Sequence, residues 1–400
     1  MDALIPYVLE WANLLLRWLH VIVAIAWIGS SFYFVWLDNS LLPPKTSELQ
    51  TKGVSGELWA VHGGGFYNPQ KYLVAPPQLP EHLHWFYWEA YTTWLSGFGL
   101  MVVLYLFNAN TYMVDPRVFD MSPAMAIALA LGFLVMGWLV YDGICRLWGD
   151  KPGGDRMVGI GVMFYVAAAT WLACHVFAGR AAFLIMGAML GTIMSANVFF
   201  WIIPGQRKVV ASMKAGETPD PIHAQRGKQR SVHNTYFTLP VLFAMLSNHY
   251  SMTYSHPHNW LVLILIMSAG VLIRQFFLLR HRGIVDWRYP GAGVAVLLGV
   301  AVWLAPPLTQ VSVSTSPSPA PDFSSVQAVV TQRCVMCHNA QLASKNVRLD
   351  SAQAIKSQAQ LIYQQVVVSR AMPMNNATQI TEAERTLIQN WVLSGAATLP

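Results

Sequence analysis

The chain has 400 residues, 54% of them hydrophobic and 11% charged, with 16 Trp and a formal net charge of +6. An ordinary soluble domain carries roughly 25% charged residues, so the composition argues against a water-soluble enzyme and for a polytopic membrane protein. In such a chain the positive excess belongs to cytoplasmic loops rather than to a nucleic-acid-binding face.

A membrane-crossing helix needs about 20 mostly apolar residues. The first candidate, 8–37, has no small-residue cleavage site and reads as a retained helix. It contains Arg17-Trp18-Leu19-His20 and then Ala26-Trp27-Ile28-Gly29-Ser30-Ser31-Phe32. A histidine deep in a span is costly and points to a site. Imidazole is a usual haem ligand and bundles hold haem between facing helices, with Arg17 one turn away for a propionate. The alternative is a histidine hydrogen-bonded to a neighbouring helix. Residues 38–82 form a long Pro-rich loop carrying Gly63-Gly64-Gly65 and several aromatics, and loops of that length are usually functional or disordered.

Further spans are predicted at 83–107, 122–146, 157–177, 180–203, 233–250, 259–280 and 291–308, about eight in all. Basic residues gather between the third and fourth (Arg146, Lys151, Arg156), the fifth and sixth (Arg207 to Arg230) and the seventh and eighth (Arg280, Arg282, Arg288). These loops fall on one side, the cytoplasmic one, which leaves both termini outside. His20, His175 and His249 then lie toward the outer side, so a b-type haem would pair His20 with His175 or His249. His82, His84 and His233 lie toward the inner side, near His62. Cys145 and Cys174 fall in apolar segments near opposite faces, too far apart to bridge.

Residues 309–321 read as an extended Ser/Pro linker. It separates a membrane part, 1–308, from a terminal unit, 322–400. That unit contains Cys334-Val335-Met336-Cys337-His338, the C-x-x-C-H pattern in which both thiols form thioethers to one haem and the histidine ligates iron. Zinc would need two more ligands, and the unit has no further Cys or His. Thr381 and Glu384 predict a capping box for the last helix, preceded by Met372-Pro373-Met374. The stretch resembles small class I cytochromes c, which implies a sixth ligand at Met372, with Met374 as the alternative. Covalent haem c is attached outside the cytosol, in agreement with the topology read from the charges. The fold expected is all-α: a polytopic membrane helix bundle followed by a small class I cytochrome c domain.

The helix-one run, Val61-His62-Gly63-Gly64-Gly65-Phe66-Tyr67, His84-Trp85-Phe86-Tyr87-Trp88-Glu89 and Arg230-Ser231-Val232-His233-Asn234-Thr235-Tyr236-Phe237-Thr238-Leu239-Pro240 resemble the membrane-bound urate oxidase (urate hydroxylase) family of bacterial purine catabolism, in which a membrane domain is fused to a C-terminal cytochrome c. The resemblance implies a multi-pass inner-membrane protein with a periplasmic cytochrome c domain. It implies oxidation of urate to 5-hydroxyisourate, with electrons passed through haem to a respiratory cytochrome c or terminal oxidase; membrane lipid is the other partner and no nucleic acid is expected. Urate arises in the cytosol, so the pocket should open there. His62, His84 or His233 is then a candidate proton acceptor, Phe66 or Tyr67 a stacking partner, Glu89 a further candidate and Gly63 to Gly65 an anion-binding backbone. The bland alternatives are a flexible turn and interfacial aromatic anchors. A quinol-to-cytochrome c relay without a purine site is the competing function.

Overall fold

The computed structural model describes residues 4–72, 76–305, 321–344, 347–368 and 370–396. Most of the expected linker, 309–320, lies outside the described residues.

Helix α1 (Leu4–Ser40) is long enough to exceed a bilayer core. Its Trp11, Leu14, Trp18, Ile22 and Ile25 form an exposed apolar face. A short α2 (Ser47–Thr51) follows, then two nested antiparallel pairs: β1 (Val54–Glu57) with β4 (Gln70–Tyr72), and β2 (Ala60–His62) with β3 (Gly65–Tyr67). The all-α expectation omits these strands. Their cause is local: Gly63 and Gly64 both take positive φ (+58° and +81°), the two-residue turn that matches strand twist and that only residues tolerant of left-handed backbone can fill.

Helix α3 (Trp88–Met101) runs into a π-helical turn at Val102–Leu106, followed by α4 (Ala109–Tyr112). Helix α5 (Pro123–Trp148) opens on a Ser122 side-chain cap with proline in its first turn, and α6 (Gly154–Val176) returns beside it. Helix α7 (Gly179–Ala196) passes without a break through a second π-helical turn, Asn197–Ile202, into α8 (Ile203–Lys214). It is the central staff of the bundle: Phe183, Met186, Met189, Leu190 and Ile193 are wholly buried, and α5, α6 and α9 (Pro221–Leu246) pack around it. The short α10 (Ser251–Tyr254), then α11 (Asn259–His281) and α12 (Arg288–Trp303), complete the membrane part.

Five described helical stretches are long and apolar enough to cross a membrane: Tyr7–Ser40, Pro123–Trp148, Gly154–Val176, Gly179–Lys214 and Asn259–His281. The other three expected segments also fall on helices, α3 with its π turn, the second half of α9, and the 16-residue α12. Helix α9 corrects the expected loop between the fifth and sixth spans. Asp220 caps it and Pro221 occupies its first turn, so Arg226, Lys228 and Arg230 are helical residues rather than loop charges.

A separate cluster of buried residues belongs to α13 (Phe323–Arg333), α14 (Ala352–Ser357), α15 (Ala359–Ile362) and α16 (Glu382–Leu393). Phe323, Val330, Ile355, Ile362, Ile388 and Trp391 form its centre. A third π-helical turn, Tyr363–Val368, extends α15, and the Thr381–Glu384 capping box starts α16.

Candidate functional site

The most heavily buried polar cluster joins α5, the π turn after α7, and α9. The His233 Nδ1 atom lies 2.7 Å from the Tyr141 hydroxyl, which accepts from Asn197 Nδ2 at 3.0 Å. Asn197 Nδ2 also donates to Asn234 Oδ1 at 2.9 Å, and Asn234 Nδ2 to the Met194 carbonyl at 3.0 Å. Beside them Arg230, 2% exposed, donates to Asp142 at 2.7 Å. Trp201 Nε1 and Arg146 Nε donate to the same carboxylate at 2.7 Å and 2.6 Å. The guanidinium of Arg230 lies over the rings of Trp201 (4.8 Å) and Tyr141 (5.1 Å). Burying an ion pair is expensive unless its hydrogen bonds are filled, and here Asp142 accepts three. The π turn is what brings Asn197 and Trp201 to bear, because an inserted residue re-aims the side chains after it, and such turns recur at functional sites.

Of the candidate catalytic residues named from the sequence, His233 alone enters this network. His62 and Tyr67 sit on the exposed β2–β3 hairpin, where Gly63 and Gly64 are accounted for by the turn. His84 is exposed and packs edge-on against Phe86, which packs on Phe34 of α1. Glu89 lies in the first turn of α3. Tyr141, Asn197 and Trp201 carry no local sequence signal, whereas Asp142 is an acid inside an apolar run, a functional-site hypothesis by itself.

His20 faces α3 rather than His175 or His249. Its Nδ1 is 3.0 Å from the Thr93 carbonyl and 3.1 Å from Ser96 Oγ. A Cβ at Gly97 would stand 2.8 Å from the His20 ring, so glycine there makes room for the imidazole. Donation from Nδ1 to a backbone carbonyl fixes the tautomer that leaves Nε2 free, the arrangement metal-ligating histidines use. Arg17 is exposed and bonds Asn13 at 3.1 Å. The exposed His175 stacks on Trp171 of its own helix and reaches that residue's carbonyl at 2.7 Å. His249 is exposed at the end of α9, beside Asn248.

The family model described as urate oxidase N-terminal matches residues 6–305, which span all of these side chains. The chain belongs to that family. No curated protein and no solved structure matches it.

The C-x-x-C-H residues lie beyond the segment matched by the urate oxidase N-terminal family. Cys334 is buried and Cys337 exposed; burial pushes the Cys334 thiol up to about 11. His338 Nδ1 is 3.2 Å from the Val347 carbonyl, again leaving Nε2 for a metal. Met372 packs against the buried cluster that contains Cys334. Its loop is held by Arg385, which donates to the carbonyls of Met372 (3.1 Å) and Val366, while Met372 N–H donates to Gln365 at 2.9 Å. The π turn supplies the Val366 and Gln365 carbonyls, since widening a helix frees acceptors from the i−4 ladder. Met374 turns the other way: Arg180 Nη1, at the start of α7, contacts its sulfur at 3.8 Å. Two thiols, a histidine with Nε2 free and a braced thioether fit a covalent haem.

Proposed function

We propose that the chain oxidises urate to 5-hydroxyisourate and passes the electrons through haem to the respiratory chain. The balance is urate plus water giving 5-hydroxyisourate, two protons and two electrons. The observation that carries this reading is the half-buried His233–Tyr141 contact inside the segment matched by the urate oxidase N-terminal family.

His233 accepts a proton from urate, and Tyr141 and Asn197 orient its ring through the contacts described above. The Arg230–Asp142 pair keeps the surroundings of His233 polar and rigid without adding net charge. Haem bound at Cys334, Cys337 and His338 supplies a one-electron acceptor. Met372 would supply the thioether ligand to that haem's iron, supported by its packing against the buried cluster, while Met374 is engaged by Arg180. His20, with Nε2 free, is the proposed ligand of a haem b in the membrane part.

The terminal unit meets the bundle at α4 and Arg180. That is the end carrying few basic residues, which supports a periplasmic cytochrome c domain in a bacterial inner membrane and a respiratory cytochrome c or terminal oxidase as acceptor. The test is to mix oxidised, full-length protein with urate without oxygen. Growth of the reduced α-band is expected; reduction by a quinol but never by urate would replace this reading with a quinol-to-cytochrome c relay.

A further inference from the structure

Helix α11 carries a charge outside the His233 network. Arg274 is 4% exposed, and its Nε and Nη2 atoms are buried with no hydrogen-bond partner among the described residues. The guanidinium lies 4.0 Å from the centre of the Phe32 ring of α1. An uncompensated buried cation costs several kcal/mol, and a lone phenyl face returns only about 2 kcal/mol of that. The site is therefore built for an anion that arrives from elsewhere.

The identity of the two atoms narrows the anion. Nε–H and Nη2–H leave one edge of a guanidinium in parallel and form a fork for two adjacent acceptors. This chain uses the same edge to grip carboxylates elsewhere: Arg117 on Asp115 at 3.0 Å and 2.7 Å, and Arg348 on Asp350 at 3.2 Å and 2.9 Å. The near-complete burial of Arg274 and the Phe32 ring against it suit a flat ring anion better than a hydrated ion. Its neighbour Gln275 is hydrogen-bonded by the Tyr236 hydroxyl, and Tyr236 stands one turn after His233 on α9. Arg282 donates to Asn39 at 2.9 Å, which clamps the adjoining ends of α11 and α1 and holds Phe32 against Arg274.

We propose that Arg274 is the substrate fork, taking the N–C=O edge of the urate anion on Nε and Nη2 with Phe32 backing the guanidinium. This deepens the urate reading and rests on it. The assignment makes Arg274 a binding residue whose contact is equal in ground and transition states, so its loss raises KM and leaves kcat nearly unchanged.

The experiment compares full-length wild type with Arg274→Lys, Arg274→Gln and Phe32→Leu in nanodiscs. Radiolabelled urate binding is measured by equilibrium dialysis, and urate-driven haem reduction as a function of urate concentration. Arg274→Lys keeps the charge and loses the fork. It should weaken urate binding and raise KM at least about tenfold, as expected for losing a charged hydrogen-bond pair, with kcat within about threefold. Phe32→Leu should raise KM by a smaller factor and keeps the test alive if both Arg274 variants fail to assemble. Unchanged urate affinity in the variants, with an active wild type, overturns the fork and leaves the urate reading intact. Loss of haem from the variants with unaltered urate affinity overturns it in favour of a haem carboxylate on Arg274. A wild type that neither binds nor oxidises urate removes both.

Discussion

The His233 Nδ1 atom and the Tyr141 hydroxyl, 92 residues apart in sequence, stand 2.7 Å apart between α9 and α5. Tyr141 is fully buried, and Asn197 donates to its oxygen at 3.0 Å. With His233 Nδ1–H also donating to that oxygen, Nε2 of the neutral ring keeps its lone pair and is the nitrogen proposed to take the proton from urate. His233→Gln should lower urate-driven haem reduction by roughly 10²–10⁴-fold, the usual contribution of a positioned acid–base group. Tyr141→Phe should lower it less, because the imidazole stays in place. Stopped-flow reduction at saturating urate reads both, with haem content as the control for assembly.

Arg230 and Asp142 answer to a different measurement, thermal stability. Both are buried and their contact is 2.7 Å. Removing one partner leaves an uncompensated charge, which typically costs about 3–5 kcal/mol. Asp142→Leu should therefore lower the unfolding temperature in detergent sharply. The double variant Asp142→Leu with Arg230→Met should recover part of the loss, because no charge is then stranded. A double variant less stable than either single would show that the pair contributes net stability.

What could be read from the chain beforehand follows how local each feature is. Cys334, Cys337 and His338 declare themselves within one turn, as do Thr381 and Glu384, whose capping box needs only its own four residues. Asp142 and Arg230 lie 88 residues apart, so the pairing is a tertiary fact. Arg230 also follows Arg226 and Lys228, which gave it the look of a loop charge. The Asp220-Pro221 helix start was the local signal against that reading. His20 and Gly97 show the same limit: a glycine on α3 gains meaning only once an imidazole is packed against it.

Arg385 and Met372 give a prediction in millivolts rather than in rate. Met372→Ala should lower the c-haem potential, because a weak thioether donor favours ferrous iron. Arg385→Leu removes the donor that holds the Met372 carbonyl at 3.1 Å, so it should lower the potential part of the way and broaden the titration. Met374→Leu should leave the potential unchanged. A redox titration following the α-band separates the three; a drop in Met374→Leu alone would move the ligand there.

Glu384 sets an acid limit on the terminal unit. Partial burial pushes its carboxyl up, but hydrogen bonds from the Thr381 N–H and Arg333 outweigh that and hold it below its usual 4.5. A folded value below the unfolded one means the folded state releases its proton first. The stabilisation is then fully present above about pH 4.5 and disappears as pH falls through the lower folded value. Glu384→Gln should make the unit less stable at pH 7 and flatten the acid side of its stability profile. Haem absorbance during acid titration of the full chain follows this; a wild-type profile already flat below pH 5 would count against it.

Arg180 governs the contact between the two parts of the chain. Its Nε donates to Asn248 Oδ1 at 3.1 Å, the oxygen that also accepts from the Tyr105 hydroxyl at 3.0 Å, and its Nη1 reaches Met374 at 3.8 Å. Tyr105 belongs to the π turn at the end of α3, and Tyr112 lies under the guanidinium at 5.7 Å. Side chains from three helices thus hold one cation against the loop that carries Met372. Arg180→Ala should weaken that docking, so that under the proposed function electrons leaving the membrane part reach the terminal haem more slowly. The potential of that haem should not move, because Arg385 rather than Arg180 braces Met372. Slower haem reduction by urate, with an unaltered redox titration and unaltered reduction by ascorbate, is the expected signature. A parallel fall in potential would mean that Arg180 acts on the Met372 loop itself, and unchanged kinetics would mean that electrons enter the terminal unit elsewhere.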